Sequence, residues 1–173
     1  KPSEIHQEFI DAVFHVEPPM SAAEQREAFE SILEDALGAD CGLEVAQAIH
    51  DQLSSQIREH KESKSTEPLI MTVGEIGKVL MECGVTEEHA AAFQTQCGER
   101  FGAGAVLDPA NLIDPGKYEV KTAQATIQID PEFSYAVTTR VIDGRAYLLL
   151  PADDVQVNGL LIQVANGQEA DTI

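Results

Sequence analysis

The spacing of apolar residues changes once along this chain. Up to about residue 105 they recur every three or four positions, the repeat of helices with one buried face; beyond about residue 117 they recur every second position, the repeat of strands. The first helical signal places Ile5, Phe9, Ile10 and Val13 on one side behind Ser3 as its cap. Pro18-Pro19 ends it, because neither residue donates a backbone hydrogen bond and each disfavours helix before it. Ser21 and Glu24 have the spacing of a capping box, in which each side chain satisfies the other residue's backbone N–H. Phe29, Ile32, Leu33, Ala36 and Leu37 follow at helical spacing, and Gly38 closes that helix. A third helix is expected from about Gly42 to about His60, with Ala46, Ile49, Leu53 and Ile57 as its apolar stripe.

The polar run from Lys61 to Pro68 reads as a linker. Beyond it, Thr72 and Glu75 form a second capping box ahead of Ile76, Val79, Leu80 and Cys83, and Gly84 stops the helix. Thr86 caps the next, with Glu87 and Glu88 in the first turn where the helix dipole favours acids. Ala90, Phe93, Cys97 and Phe101 are its buried stripe. Asp114-Pro115-Gly116 then turns the chain into period-two sequence: Tyr118 and Val120, then Ala125, Ile127 and Ile129, then a turn at Asp130-Pro131-Glu132.

Two dipeptides organise the C-terminal part of the chain. Asp143-Gly144 and Asn158-Gly159 each sit between apolar-rich runs, as type I′ hairpin turns do, because such turns need positive φ at both central residues. The first hairpin pairs Ile142 with Arg145, Val141 with Ala146 and Arg140 with Tyr147. One face then carries Val137, Thr139, Val141, Ala146, Leu148 and Leu150. The other face is mixed, with Arg140, Ile142, Arg145 and Tyr147. In the second hairpin Val155, Val157, Leu160, Ile162 and Val164 share a side. The expected fold class is α+β: an N-terminal helical unit over residues 1–66, an α+β domain over 69–168 and a frayed tail at 169–173. The α+β domain opens with the helical pair and continues into an antiparallel sheet of four to six strands. Helices are expected over the apolar face of that sheet.

Composition adds constraints. The 173 residues carry 30 acids and 11 Lys or Arg, a net charge of −19. The excess is spread evenly, −10 over residues 1–68 and −9 over 69–173. Such a field repels phosphate backbones and anionic lipid, so nucleic acid and membranes are not expected partners. No apolar run approaches the roughly 20 residues that span a bilayer. The three cysteines, Cys41, Cys83 and Cys97, have no C-x-x-C spacing, which argues against a disulfide framework or zinc site and places the chain in a reducing cytoplasm. The chain starts at Lys1 with helical sequence at once, as a piece of a longer protein would.

Several stretches resemble an uncharacterised bacterial family, domain of unknown function 4317. They are Glu8-Phe9-Ile10-Asp11-Ala12-Val13-Phe14, Glu17-Pro18-Pro19-Met20, Ala23-Glu24-Gln25, His60-Lys61-Glu62-Ser63-Lys64, Thr139-Arg140-Val141-Ile142-Asp143-Gly144-Arg145 and Val157-Asn158-Gly159. The resemblance implies that this chain is roughly the C-terminal half of a longer protein. It carries no activity, so it assigns no catalytic residue.

Candidate chemistry is sparse. Cys41 precedes a helix, which favours a thiolate, but Asp40 and Glu44 oppose it and no histidine is paired with it by motif. His50 and His60 sit about 80° apart around a helix and several turns along it, too far to share a metal. His6, His15 and His89 make no ligand motif, Asp153-Asp154 lacks the alternating ligands of a calcium loop, and no glycine-rich phosphate loop occurs. No catalytic, metal or cofactor residue is assigned. The binding candidates are Arg140, Arg145 and Tyr147, since arginine is scarce here and an arginine opposite a tyrosine can stack on its ring. The expected function is a non-catalytic interaction or assembly module. Its partner is a protein, including the N-terminal half of the same longer protein. Two alternatives stand beside it: a carboxylate-based hydrolase with part of its site in that half, and an acidic mimic of nucleic acid that binds a basic protein.

Overall fold

The computed structural model describes residues 19–164. The expected helix headed by Ser3 and the tail at 169–173 lie outside the described residues. Helix α1 runs over Ala22–Leu37 and α2 over Leu43–Glu62, joined by a 3₁₀ turn at Gly38–Asp40. Strand β1 (Met71–Thr72) leads directly into α3 (Val73–Glu82), and α4 follows over Glu87–Phe101. Strand β2 (Val106–Leu107) and the single turn α5 (Pro109–Leu112) come next. Then come β3 (Tyr118–Lys121), β4 (Thr126–Ile129), a 3₁₀ segment at Pro131–Ala136, β5 (Thr138–Ile142), β6 (Arg145–Leu149), β7 (Gln156–Val157) and β8 (Leu160–Leu161).

The helices start where side chains can cap them. Glu24 N–H donates to Ser21 Oγ at 3.3 Å, and Ser21 N–H donates to the Glu24 carboxylate at 2.7 Å. Thr72 and Glu75 repeat the arrangement at 3.2 and 2.7 Å. In both boxes the hydrogen bonds from the cap hold the glutamate's carboxyl below its ordinary pKa. Helix α4 has the simpler cap, with His89 N–H donating to Thr86 Oγ1 at 3.3 Å. Gly38 (φ 50°) and Gly102 (φ 100°) end α1 and α4 in left-handed backbone that a side chain would strain. Gly77 has a different reason to sit mid-helix. A Cβ there would lie 2.2 Å from Gln94 Nε2 of α4, so the two helices meet with Gln94 folded over the bare backbone.

The buried stripes make one hydrophobic cluster. Phe29 and Leu37 of α1, Ile49 and Leu53 of α2, Ile76 and Leu80 of α3 and Phe93 and Cys97 of α4 join Met71, Leu107 and Leu112. The cluster thus draws on both sides of the polar run 61–68. At its centre the rings of Phe29 and Phe93 meet edge to face, with centroids 5.9 Å apart and planes at 87°. The short β1–β2 ladder, Met71 opposite Leu107, closes one side. Ala46 departs from its expected place: it is exposed, and Ser54 is buried instead.

The α+β class and the two late hairpins stand as expected, and their geometry is detailed. Asp143 and Gly144 have φ of 51° and 76°, Asn158 and Gly159 of 50° and 83°, the positive pair that type I′ turns require. The register is the expected one, Ile142 opposite Arg145 and Arg140 opposite Tyr147, with Val157 opposite Leu160 in the second hairpin. The single sheet of four to six strands is not formed. Among the described residues the strands make four separate two-stranded antiparallel ladders, β1–β2, β3–β4, β5–β6 and β7–β8. Nor does a helix among the described residues cover the apolar faces of the late hairpins. Val141 is 71 % exposed and Leu160 72 %, and Val157 and Ile162 also face solvent. The physical reason is that alternation fixes which side chains share a face, and says nothing about what lies across from it.

Only the base of the β5–β6 hairpin is anchored. Val137 is 3 % exposed, and Gln47 Nε2 of α2 donates to the carbonyls of Ser134 (2.7 Å) and Val137 (3.4 Å). Stability should therefore be divided unevenly. Phe93→Ala empties the centre of the cluster and should cost about 3–5 kcal/mol, whereas Val141→Ala should stay within about 0.5 kcal/mol. Urea unfolding of both variants measures this, and equal losses would mean that the hairpin is part of the same core.

Candidate functional site

Two places on the molecule combine apolar surface with concentrated cations. The first is the β5–β6 hairpin. Its register sets Arg140 across from Tyr147 and Ile142 across from Arg145, and the two-residue period puts all four on one face. The structure thus brings the three expected binding residues together at one tip, all exposed. The hairpin's acid, Asp143, sits in the turn with positive φ.

The second place is a cavity of about 540 Å³ bordered by α1, α2, α5 and β3. Phe29, Leu33 and Leu37 line it from α1, Leu43 and Ile49 from α2, and Leu112 from α5. Ala46, exposed on α2, also borders it, so its place in the apolar stripe reflects this cavity and not the core. Polar groups stand around the mouth. Arg26 Nη2 donates to the Ile113 carbonyl at 3.2 Å, while its buried Nε has no partner among the described residues. His50 Nε2 lies 3.2 Å from the Asp114 carbonyl, an oxygen that can only accept, so Nε2 is the donor in this contact. The same ring meets Tyr118 edge to face at 5.6 Å. Burial holds the Tyr118 hydroxyl above its ordinary pKa.

Strand β3 supplies the remaining charges. Glu119 lies 2.9 Å from Lys121 Nζ and 3.1 Å from Lys117 Nζ, and all three residues line the cavity. The two ammonium groups, Lys121 first, pull the Glu119 carboxyl down to about 2. Glu119 in turn raises the Lys121 pKa. The alternation Lys117, Glu119, Lys121 was the one signal of this site available in the sequence, because period-two spacing puts the three on one side of a strand. Arg26 and His50 carried no such signal; each is far from β3 along the chain.

Burial pushes Cys97 up to about 12 and raises Cys83 as well, opposite to what a nucleophile needs. Cys41 is exposed at the edge of the cavity, and its neighbour Asp40 lies 2.7 Å from His89 Nδ1. His50 and His60 face different backbone carbonyls, Asp114 and Glu67. Among the described residues no three His, Cys, Asp or Glu side chains converge as metal ligands. The carboxyls that depart from ordinary values, Glu24, Glu75 and Glu119, are all lowered by hydrogen-bond donors, whereas a general acid needs the reverse. Among the described residues no helix is long and apolar enough to cross a membrane.

Fold and surfaces together define an α+β protein with a helical core and an exposed, hairpin-built apolar end. The chain belongs to the family described as domain of unknown function (DUF4317), whose model matches residues 1–160. No curated protein and no solved structure matches it.

The lysine clamp on Glu119 gives a pH prediction. A carboxyl depressed in the folded state contributes stability that is complete above its unfolded value near 4.5 and is lost as pH falls toward 2. Carbon-detected NMR titration should place the Glu119 midpoint near 2 in the parent chain. In a K117M/K121M double variant it should move up toward 4.5. An unmoved midpoint would show that the lysines are not its cause.

Proposed function

We propose that this chain is a non-catalytic protein-interaction module that docks an extended segment of a partner protein along its terminal hairpins. The observation that carries the reading is the state of residues 138–162. Val141, Leu160 and Leu161 are all more than half exposed, and Ile142, Tyr147, Val157 and Ile162 are exposed beside them. An isolated two-stranded ribbon is marginal in water, and large apolar side chains exposed on both of its faces favour a covering partner. Among the described residues each hairpin strand also pairs on one side only, which leaves backbone N–H and C=O groups for an added strand. Charge selects the partner. In a chain of net charge −19, Arg140 and Arg145 stand together on one hairpin face, so acidic side chains beside apolar ones suit the incoming strand.

Photo-crosslinking residues at Val141 and Leu160, in the full-length protein in its own cells, test this directly. Both should give adducts with one protein, while the same crosslinker at exposed Glu99 on α4 should not. Reversing Arg140→Glu and Arg145→Glu should abolish the adducts without lowering the melting temperature. Equal adducts from Glu99, or adducts unaffected by the reversal, would contradict the reading.

A further inference from the structure

The cavity between α1, α2 and β3 has the attributes of a small-ligand site, separate from the hairpins. Its volume of about 540 Å³ falls inside the roughly 300–1,000 Å³ that ligand pockets occupy, and its walls are mostly aliphatic with a few polar groups. The charges at its mouth set the ligand class. Arg26, Lys117 and Lys121 stand against Glu30, Asp114 and Glu119. That is an even balance, in a chain that as a whole has nearly three acids per cation. Two of those acids are occupied within the protein: Glu119 is held between both lysines, and Asp114 Oδ1 accepts from Gly116 N–H at 2.9 Å. The cations keep unspent donors. Each ammonium has three N–H groups and lends one to Glu119, and Arg26 has a buried Nε without a partner among the described residues. A cationic ligand would face Arg26, Lys117 and Lys121 with two of the three acids already partnered. A phosphate-rich one would need more cations than these three and is repelled by the general −19 field. A single carboxylate on an apolar body matches both parts of the site.

We infer that this cavity binds an amphipathic monocarboxylate. Its hydrocarbon or aryl body lies against Leu33, Leu37, Leu43 and Ile49, and its carboxylate is held at the mouth by Arg26 with Lys117 and Lys121. Cys41 stands at the rim and reports on occupancy.

Calorimetric titration of the purified chain with dodecanoate, below its micellar range, tests the assignment. Binding should saturate at one site and weaken at least about tenfold in Arg26→Gln. Arg26 also holds the Ile113 carbonyl, so a second variant is needed. Ala46→Trp fills the cavity from an exposed position and should abolish binding while leaving the melting temperature unchanged. Alkylation of Cys41 by iodoacetamide should slow several-fold with dodecanoate in the parent chain and not in Ala46→Trp. Dodecyltrimethylammonium should not protect Cys41. The assignment is overturned if dodecanoate does not saturate, if Ala46→Trp binds it as well as the parent does, or if the cationic amphiphile protects Cys41 equally. It is also overturned if Leu160→Asp removes the binding, since the anion would then sit on the hairpins.

Discussion

The contact between Phe29 and Phe93 organises this molecule. The chain has six phenylalanines, three tyrosines and no tryptophan, so few side chains can fill a large central volume. These two are the largest of those almost completely buried, and their edge-to-face packing joins α1 to α4 across 64 residues of sequence. The aliphatic stripes of α2 and α3 gather round the pair, and Leu112 of α5 closes against α1. The cavity bearing Arg26 and Glu119 is bordered by α1, α2 and β3, with Phe29 in its wall. Phe29, in the middle of α1, thus belongs both to this contact and to the cavity wall.

How much of this was legible in the sequence depends on how local each feature is. Capping boxes need four residues, and both were read correctly because the same two side chains that signal them also make the hydrogen bonds. The I′ turns are equally local, and their register followed from loop length alone. Sheet assembly is not local. Nothing in the alternation of Val155, Val157, Leu160 and Ile162 tells whether another layer faces them, and here none does among the described residues. The β1–β2 ladder escaped notice because two residues show no period. The cavity escaped because its polar groups come from α1, α2 and β3, and only folding brings them to one mouth. Arg140, Arg145 and Tyr147 were legible together because a hairpin register is enough to align them.

The distribution of charge has two scales. Most of the acids lie on solvated surface and set a general repulsion. A few do local work: Glu24 and Glu75 close their caps, and Glu119 orders two lysines at the cavity. The scarce cations are correspondingly informative. Lys117 and Lys121 border the cavity, and Arg140 and Arg145 share one face of the β5–β6 hairpin. The helical core lends Phe29, Leu37, Ile49 and Leu112 to the cavity wall, whereas the hairpin faces stand apart from the buried cluster.

This division makes the hairpins the least stable part of the described chain, because they contribute almost nothing to the buried cluster. Native-state hydrogen exchange of the protein alone measures it most directly. Amides of α1 and α4 around Phe29 and Phe93 should exchange only through global unfolding. Those of β5–β8 should exchange at least about 100-fold faster. Protection of β5–β8 equal to that of α1 would contradict a core confined to the helices and would place the hairpins inside the cooperative fold.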